Sequence, residues 1–224
     1  MVHSPADQLL VSYPMLSAIK RWGSVERDPL YSATDAELVS ALSASNPRAK
    51  AILWDRYAPR TKSLLRRILG PDADVDDCLH DVFEAVFVRI GTLRDPEALR
   101  HFITSVAMRK AISEVRRKRR FRWLGLEKHD PPDPTSLEST TSARALLRAI
   151  YGVLDSFPPR VRAAFILRYV EGQGLTEIAD ALGTSATTTK RDIAHGLELF
   201  TTGAGQSAEL SRVDLDGLLR RRRA

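Results

Sequence analysis

The chain has 224 residues, 43% of them apolar and 28% charged, which is ordinary globular composition rather than that of a disordered protein. A single cysteine, Cys78, excludes a disulfide framework and any multi-cysteine zinc site, and no apolar run approaches the ~20 residues of a membrane span. The start, MVHSPADQLLVSYP, has no basic n-region and is cut by Asp7 and Pro14, so a signal peptide is not expected and a cytoplasmic protein is.

The net charge, 34 − 28 = +6, averages over a strong pattern. Residues 71–84 (PDADVDDCLHDVFE) carry six acids and no Lys or Arg, whereas residues 109–122 (RKAISEVRRKRRFR) carry eight basic groups and one acid. Residues 143–200 are almost balanced, with seven basic and six acidic groups. Two oppositely charged surfaces close together in sequence point to two different partners.

Residues 1–33 show no firm periodicity; Leu9, Leu10, Tyr13 and Leu16 outline a short amphipathic turn that Pro14 interrupts. Thr34-Asp35-Ala36-Glu37 is a capping-box pattern ahead of Leu38, Val39 and Leu42, and it predicts the first helix. Asn46-Pro47 opens a second helix through Ile52, Leu53, Tyr57, Leu64, Leu65 and Ile68, stopped by Gly70-Pro71. A third begins after Asp72 or Asp74 and places Val75, Leu79, Val82, Phe83, Val86, Phe87 and Ile90 at helical spacing up to Gly91. Asp95-Pro96 is a cap followed by proline, launching a long helix with Leu99, Phe102, Ile103, Val106, Ile112 and Val115 on one face. Residues 120–142 hold three prolines, several Ser and Thr and a local acid excess, and read as an extended linker. Beyond it, one helix through Leu146, Leu147, Ile150 and Leu154 ends near Phe157, and Pro158-Pro159 starts another that stops at Glu171-Gly172. LTEIADALGTSATTTKRDIAHGLELF then reads helix, tight turn, helix.

No strand candidate survives, so the expected fold is all-α. A four-helix bundle occupies 34–119, the linker 120–142, and a four-helix domain with a helix-turn-helix 143–200. An extension at 1–33 and a Gly/Ser-containing tail at 201–224 flank them, the tail ending in four arginines at 220–223. That tail reads as solvated, with a weak nucleic-acid contact as the sharper alternative.

The helix-turn-helix is the clearest constellation. Ala179 is small where two helices approach closely, Gly183 permits the turn, and Leu182 and Ile193 supply apolar contacts. Ser185 caps the next helix, whose first turns present Thr187, Thr188, Lys190 and Arg191, the short polar and basic side chains that a major-groove helix needs. An ordinary helical hairpin packed in a core is the alternative, and Thr189 departs from the aliphatic residue expected at its inward position. The basic run of Arg109, Lys110, Arg116, Arg117, Lys118, Arg119 and Arg120 adjoins Phe102, Phe121 and Trp123. Cations beside aromatics suit single-stranded nucleic acid, while a solvated helix end remains open and much of Phe102 can be core. Asp76, Asp77, Asp81 and Glu84 form an outward acidic face of the third helix, for which docking of a basic protein and plain solvation both fit. The acids at 72–77 lack the central glycine and closing glutamate of a calcium loop, so no metal is expected. The five histidines (3, 80, 101, 129 and 195) are scattered, Cys78 sits beside apolar positions, and there is no glycine-rich phosphate loop. Neither a catalytic site nor a cofactor is expected.

The order of these parts, over residues 34–200, resembles the extracytoplasmic-function (group IV) sigma factors of bacterial RNA polymerase. DVDDCLHDVFEAVFVRI resembles that family's region 2.2, EALRHFITSVAMRKAISEVRRKRR its regions 2.3–2.4, and FPPRVRAAFILRYVEGQGLTEIADALGTSATTTKRDIAHGLELF its region 4. Phe87 stands where the family commonly has Trp, and Lys110 where it commonly has Asn. The resemblance implies a non-enzymatic subunit that binds core polymerase and directs promoter-specific initiation. It implies docking of Asp76, Asp77, Asp81 and Glu84 on the clamp helices of the largest subunit, with the flap as a second polymerase contact. Residues 91–97 and the start of the fourth helix would capture an unpaired base of the −10 element, with Thr92, Arg94, Arg100, His101, Arg109, Lys110 and Arg116 as candidates. Ser185, Thr187, Thr188, Lys190 and Arg191 would read the −35 element as duplex, with Arg160 and Arg162 as candidate phosphate contacts. The 23 linker residues span roughly 24–29 Å as a free coil and about 75–80 Å extended, so two sites ~70 Å apart require it stretched. Its acids Glu127, Asp130, Asp133 and Glu138 would suit the basic RNA-exit path that this segment threads in the family. An anti-sigma factor is a further implied partner. A helix-turn-helix regulator acting without polymerase is the competing reading, followed by a metal-dependent nucleic-acid hydrolase and a pure interaction scaffold.

Overall fold

The computed structural model describes residues 29–71, 73–124 and 141–211, together with Val213 and Gly217. The expectations for Leu9 to Leu16, His3, Asp72, the linker acids, His129 and the arginines at 220–223 lie outside the described residues. Among the described residues there is no strand, and eight α-helices follow in order: α1 (Asp35–Ser43), α2 (Pro47–Leu69), α3 (Val75–Arg89), α4 (Leu99–Trp123), α5 (Thr141–Asp155), α6 (Pro159–Tyr169), α7 (Leu175–Leu182) and α8 (Ala186–Gly205). Single 3-10 turns occupy Pro29–Tyr31, Ile90–Thr92 and Pro96–Ala98.

Local chemistry accounts for the helix starts. Thr34 Oγ1 accepts from Glu37 N at 3.2 Å while the Glu37 carboxylate accepts from Thr34 N at 2.8 Å, the reciprocal bonds of a capping box. Those bonds hold the Glu37 carboxyl below its ordinary pKa. Asn46 Oδ1 accepts from Arg48 N at 3.0 Å, with Pro47 at the first helical position where its missing N–H has no cost. Asp74 is the residue that caps α3, accepting from Asp77 N at 3.1 Å. Asp95 accepts from Glu97 N at 3.1 Å, and its 3-10 turn runs directly into α4.

The chain packs as two compact units: the described residues up to Pro59 with 83–100, and 60–82 with 101 onward. In the first, Leu38, Ile52, Leu53, Phe83, Val86 and Leu99 are buried, and the Trp54 and Phe83 rings lie 4.8 Å apart. Asp35 accepts from Arg56 (3.1 Å) and from the Tyr57 hydroxyl, and Arg56 also donates to Tyr31 O at 2.9 Å, tying the first turn and α1 to α2. In the second unit Phe165 is the aromatic hub, with ring centroids of Phe157, Tyr169 and Phe200 at 5.5, 4.8 and 5.0 Å. Each fully buried side chain of this size contributes about 1.5–3 kcal/mol.

Two boundaries differ from the sequence expectation. The long helix continues to Trp123, past the expected end at Arg119, so its last turns carry residues assigned to the linker. The last helix runs to Gly205 rather than stopping at Phe200, with Ala204 and then Leu210 buried. Two glycines made residues 201–205 look like the start of a tail, but tertiary packing overrides that propensity. At Gly203 the reason is a close approach: a Cβ there would lie 2.7 Å from Val153 Cγ1 of α5.

Candidate nucleic-acid interface

The turn between α7 and α8 is built by Gly183 at φ +62, a left-handed conformation that glycine adopts without strain. Thr184 N then reaches back to Ala179 O at 2.9 Å. Ser185 Oγ accepts from Thr188 N at 3.2 Å, fixing the start of α8. Ser185, Thr187, Lys190 and Arg191 are exposed there and Thr188 is half-buried, so the structure brings all five expected residues onto the first turns of one helix. The polar residue on the inward side now has an explanation. Thr189 is fully buried, and its hydroxyl lies 2.8 Å from that of Thr184, so the turn and the helix share an internal hydrogen bond.

The two arginines expected on phosphates are placed differently. Arg160 Nε and one terminal nitrogen donate to Asp192 at 2.6 and 3.3 Å, and that bond raises the guanidinium pKa. Asp192, only 4% exposed, is a structural support that sequence reasoning missed: through Arg160 it ties α8 to α6. Arg162 is 3% exposed, donates to Asp155 Oδ1 at 2.6 Å and Leu154 O at 3.4 Å, and lies 5.9 Å from the Tyr151 ring centre. In this structure it is a buried cation, because α6 turns that position inward.

On α3, Asp77, Asp81 and Glu84 are exposed and Asp76 is half-buried. Asp77, Asp81, Glu84 and Val88 recur at i, i+4, i+7 and i+11, one stripe of the helix. Val88, 80% exposed, adds an apolar end to that stripe which its off-face position in the apolar pattern could have signalled. Two acids meet cations of the same packed unit: Asp76 with Lys62 at 2.6 Å, and Asp81 with Lys110 at 3.4 Å. The Cys78 thiol beneath this face is pushed up to about 12, chiefly by burial, and is no nucleophile at neutral pH.

Thr92 and Arg94 are exposed in the segment before α4, Thr92 Oγ1 donating to Arg89 O at 2.7 Å. Along α4, Arg100, His101, Arg109 and Arg116 are exposed, and Lys110 and Phe102 are half-buried. Other cations of the run have internal duties. Arg117 makes a two-point pair with Glu114 at 2.8 and 2.7 Å, Arg119 donates to Phe157 O at 3.2 Å, and Arg122 pairs with Asp155 at 3.4 Å. Among the described residues no group of three or more His, Cys, Asp or Glu could hold a metal ion, and no helix is long and apolar enough to cross a membrane.

The chain also matches known proteins. Residues 53–121 match the family description "Sigma-70 region 2", and residues 147–199 match "Sigma-70, region 4". The chain is 33% identical over 144 residues to the ferric citrate uptake sigma factor FecI of Escherichia coli strain K12, a match covering 61% of this chain and 80% of that protein. It is 28% identical over 167 residues to the ECF RNA polymerase sigma factor SigE of Mycolicibacterium smegmatis, covering 70% of this chain and 63% of that one. Among solved structures, CnrH in complex with the cytosolic domain of CnrY shares the fold, with a TM-score of 0.56 at 20% identity over 78% of this chain and 99% of that chain.

Proposed function

The chain belongs to the extracytoplasmic-function sigma factors of the sigma-70 family, and we propose how its surfaces divide the work of promoter recognition. As a sigma factor it directs RNA polymerase to promoters and is not an enzyme. In the proposed division, residues 34–119 dock on core polymerase and handle the −10 element, residues 143–200 read the −35 element, and the linker between them spans the distance.

The observation that carries this reading is the start of α8. Thr187, Thr188, Lys190 and Arg191 stand on its first turns, braced from within by the Thr189–Thr184 and Asp192–Arg160 contacts. A helix end held rigidly and lined with short polar and basic groups is suited to duplex base edges and phosphates. The acidic and apolar stripe of Asp77, Asp81, Glu84 and Val88, with Asp76 beside it, supports docking on the clamp helices of the polymerase's largest subunit, with the flap as second contact. Thr92, Arg94, Arg100, His101, Arg109, Lys110 and Arg116 would hold the unpaired strand of the −10 element, offsetting the few kcal/mol that unstacking a base costs. Arg160 serves mainly as the partner of Asp192, and Arg162 has no DNA role in this scheme. CnrH was solved with the cytosolic domain of another protein, which supports a protein regulator of this chain too, acting in the cytoplasm.

The test is assembly of the chain with core bacterial RNA polymerase, followed by sequencing of run-off transcripts from genomic DNA. Stable association with initiation at sites sharing spaced −35 and −10 elements is expected. Absence of association, together with tight duplex binding by the chain alone, would replace this division with a regulator that acts without polymerase.

A further inference from the structure

We infer that Trp123 is a stacking platform for an unpaired DNA base at the end of a cationic track along α4. The inference rests on the proposed role of α4 with single-stranded DNA and adds a residue outside that set. Trp123 is 85% exposed, with Phe121 and Leu124 also exposed beside it. Indole carries more apolar surface than any other side chain and is seldom left in water without a partner.

Its position in the helix gives the partner's chemistry. Arg109, Arg116, Arg120 and Trp123 stand at i, i+7, i+11 and i+14, and all four are exposed. At 100° per residue they fall within a sector of about 60°, and at 1.5 Å per residue they span about 21 Å. Residues 116–122 hold six basic side chains and no acid. Arg119 and Arg122 turn to Phe157 O and Asp155, whereas Arg116 and Arg120 share the side of the indole. A row of guanidinium groups ending on a flat ring matches a single strand, whose phosphates pair with the cations and whose base offers a bare face to the ring. Duplex DNA hides its base faces in the stack and would leave the indole unused. An acidic protein would need the charges without needing the ring.

The experiment uses the full chain assembled with core polymerase and a fluorescein-labelled 20-nucleotide single strand, alongside the same sequence as duplex. Trp123→Ala is expected to lower single-strand affinity roughly 5- to 100-fold while changing duplex affinity less than about twofold. Trp123→Phe, which keeps a stacking face, should restore most of the loss. Arg120→Ala should weaken both probes and lower the salt slope by about one phosphate contact. Unchanged single-strand affinity in Trp123→Ala, or equal loss on both probes, overturns the inference. Loss of association with core polymerase in Trp123→Ala overturns it too, and makes the residue a protein contact. Should the wild-type chain not associate with core at all, the proposed division of surfaces fails, and the same two probes on the chain alone still decide whether Trp123 stacks.

Discussion

Asp192 shows how one buried carboxylate can set the posture of a helix. Only 4% exposed, it sits one residue beyond Arg191 and accepts both bonds from Arg160, so the exposed and inward sides of α8 are held in register. Removing the cation strands the acid, and a buried charge without its partner costs far more than the pair contributes. Arg160→Ala should therefore destabilise the chain by about 1–3 kcal/mol, with Arg160→Lys intermediate because an ammonium cannot make the two-point bond. Thermal unfolding checks this, and an unchanged Tm would return Arg160 to a purely DNA-facing role. Sequence alone singled out Thr189 as a polar residue on an inward position. It could not show Thr184 waiting 2.8 Å away, because the turn geometry that brings them together is set by Gly183. Likewise Arg160 and Arg162 read alike in the sequence, since both are arginines near the start of one helix. The 200° between i and i+2 on a helix sends one to Asp192 and the other into the core.

At the level of elements, periodicity and caps were enough to place α1 to α8, because each apolar face and each capping residue is local. The ends of α4 and α8 were not legible: close packing at Gly203 and Ala204 carries α8 through its glycines to Gly205, and α4 runs on to Trp123 over exposed residues that read as linker. Nor was the Asp81–Lys110 pair, which joins an acid of α3 to a cation of α4 at 3.4 Å across 29 positions of sequence. That pair links two surfaces assigned to different partners: polymerase docking that engages Asp81 would release Lys110 toward DNA. Its size is limited by solvent, since the two side chains are 61% and 38% exposed. Pairs of this kind contribute about 0.2–1 kcal/mol. In the chain without polymerase, Asp81→Asn should raise single-strand affinity by no more than about fivefold. Asp81→Asn combined with Lys110→Ala should abolish the gain, and fluorescence anisotropy at two salt concentrations reads it. A gain that survives the second substitution would show that Asp81 acts through long-range charge rather than through this contact.

Across the whole molecule, acidic and basic surfaces lie on separate helices, a separation that a simple duplex-binding regulator would not need. Asp76, Asp77, Asp81 and Glu84 on α3 and the eight basic groups of 109–122 on α4 lie on different helices from Lys190 and Arg191, which are roughly a hundred residues beyond the acidic stripe. If the division of surfaces holds, damage to one set leaves the other's partner bound. Lys190→Ala with Arg191→Ala should cut −35-dependent initiation by about tenfold or more, one to three kcal/mol for each lost contact, with association to core polymerase within about twofold of wild type. Asp77→Lys with Asp81→Lys should do the reverse, abolishing core association while the exposed stripe tolerates the change without unfolding. The decisive comparison is both double variants in one core-binding titration and one run-off assay, with far-ultraviolet circular dichroism to confirm that each is folded. Equal loss of core binding in the first pair would mean that α8 is a polymerase contact as well. Retained core binding in the second would mean that the acids are solvation, and that polymerase grips this chain through its apolar surfaces.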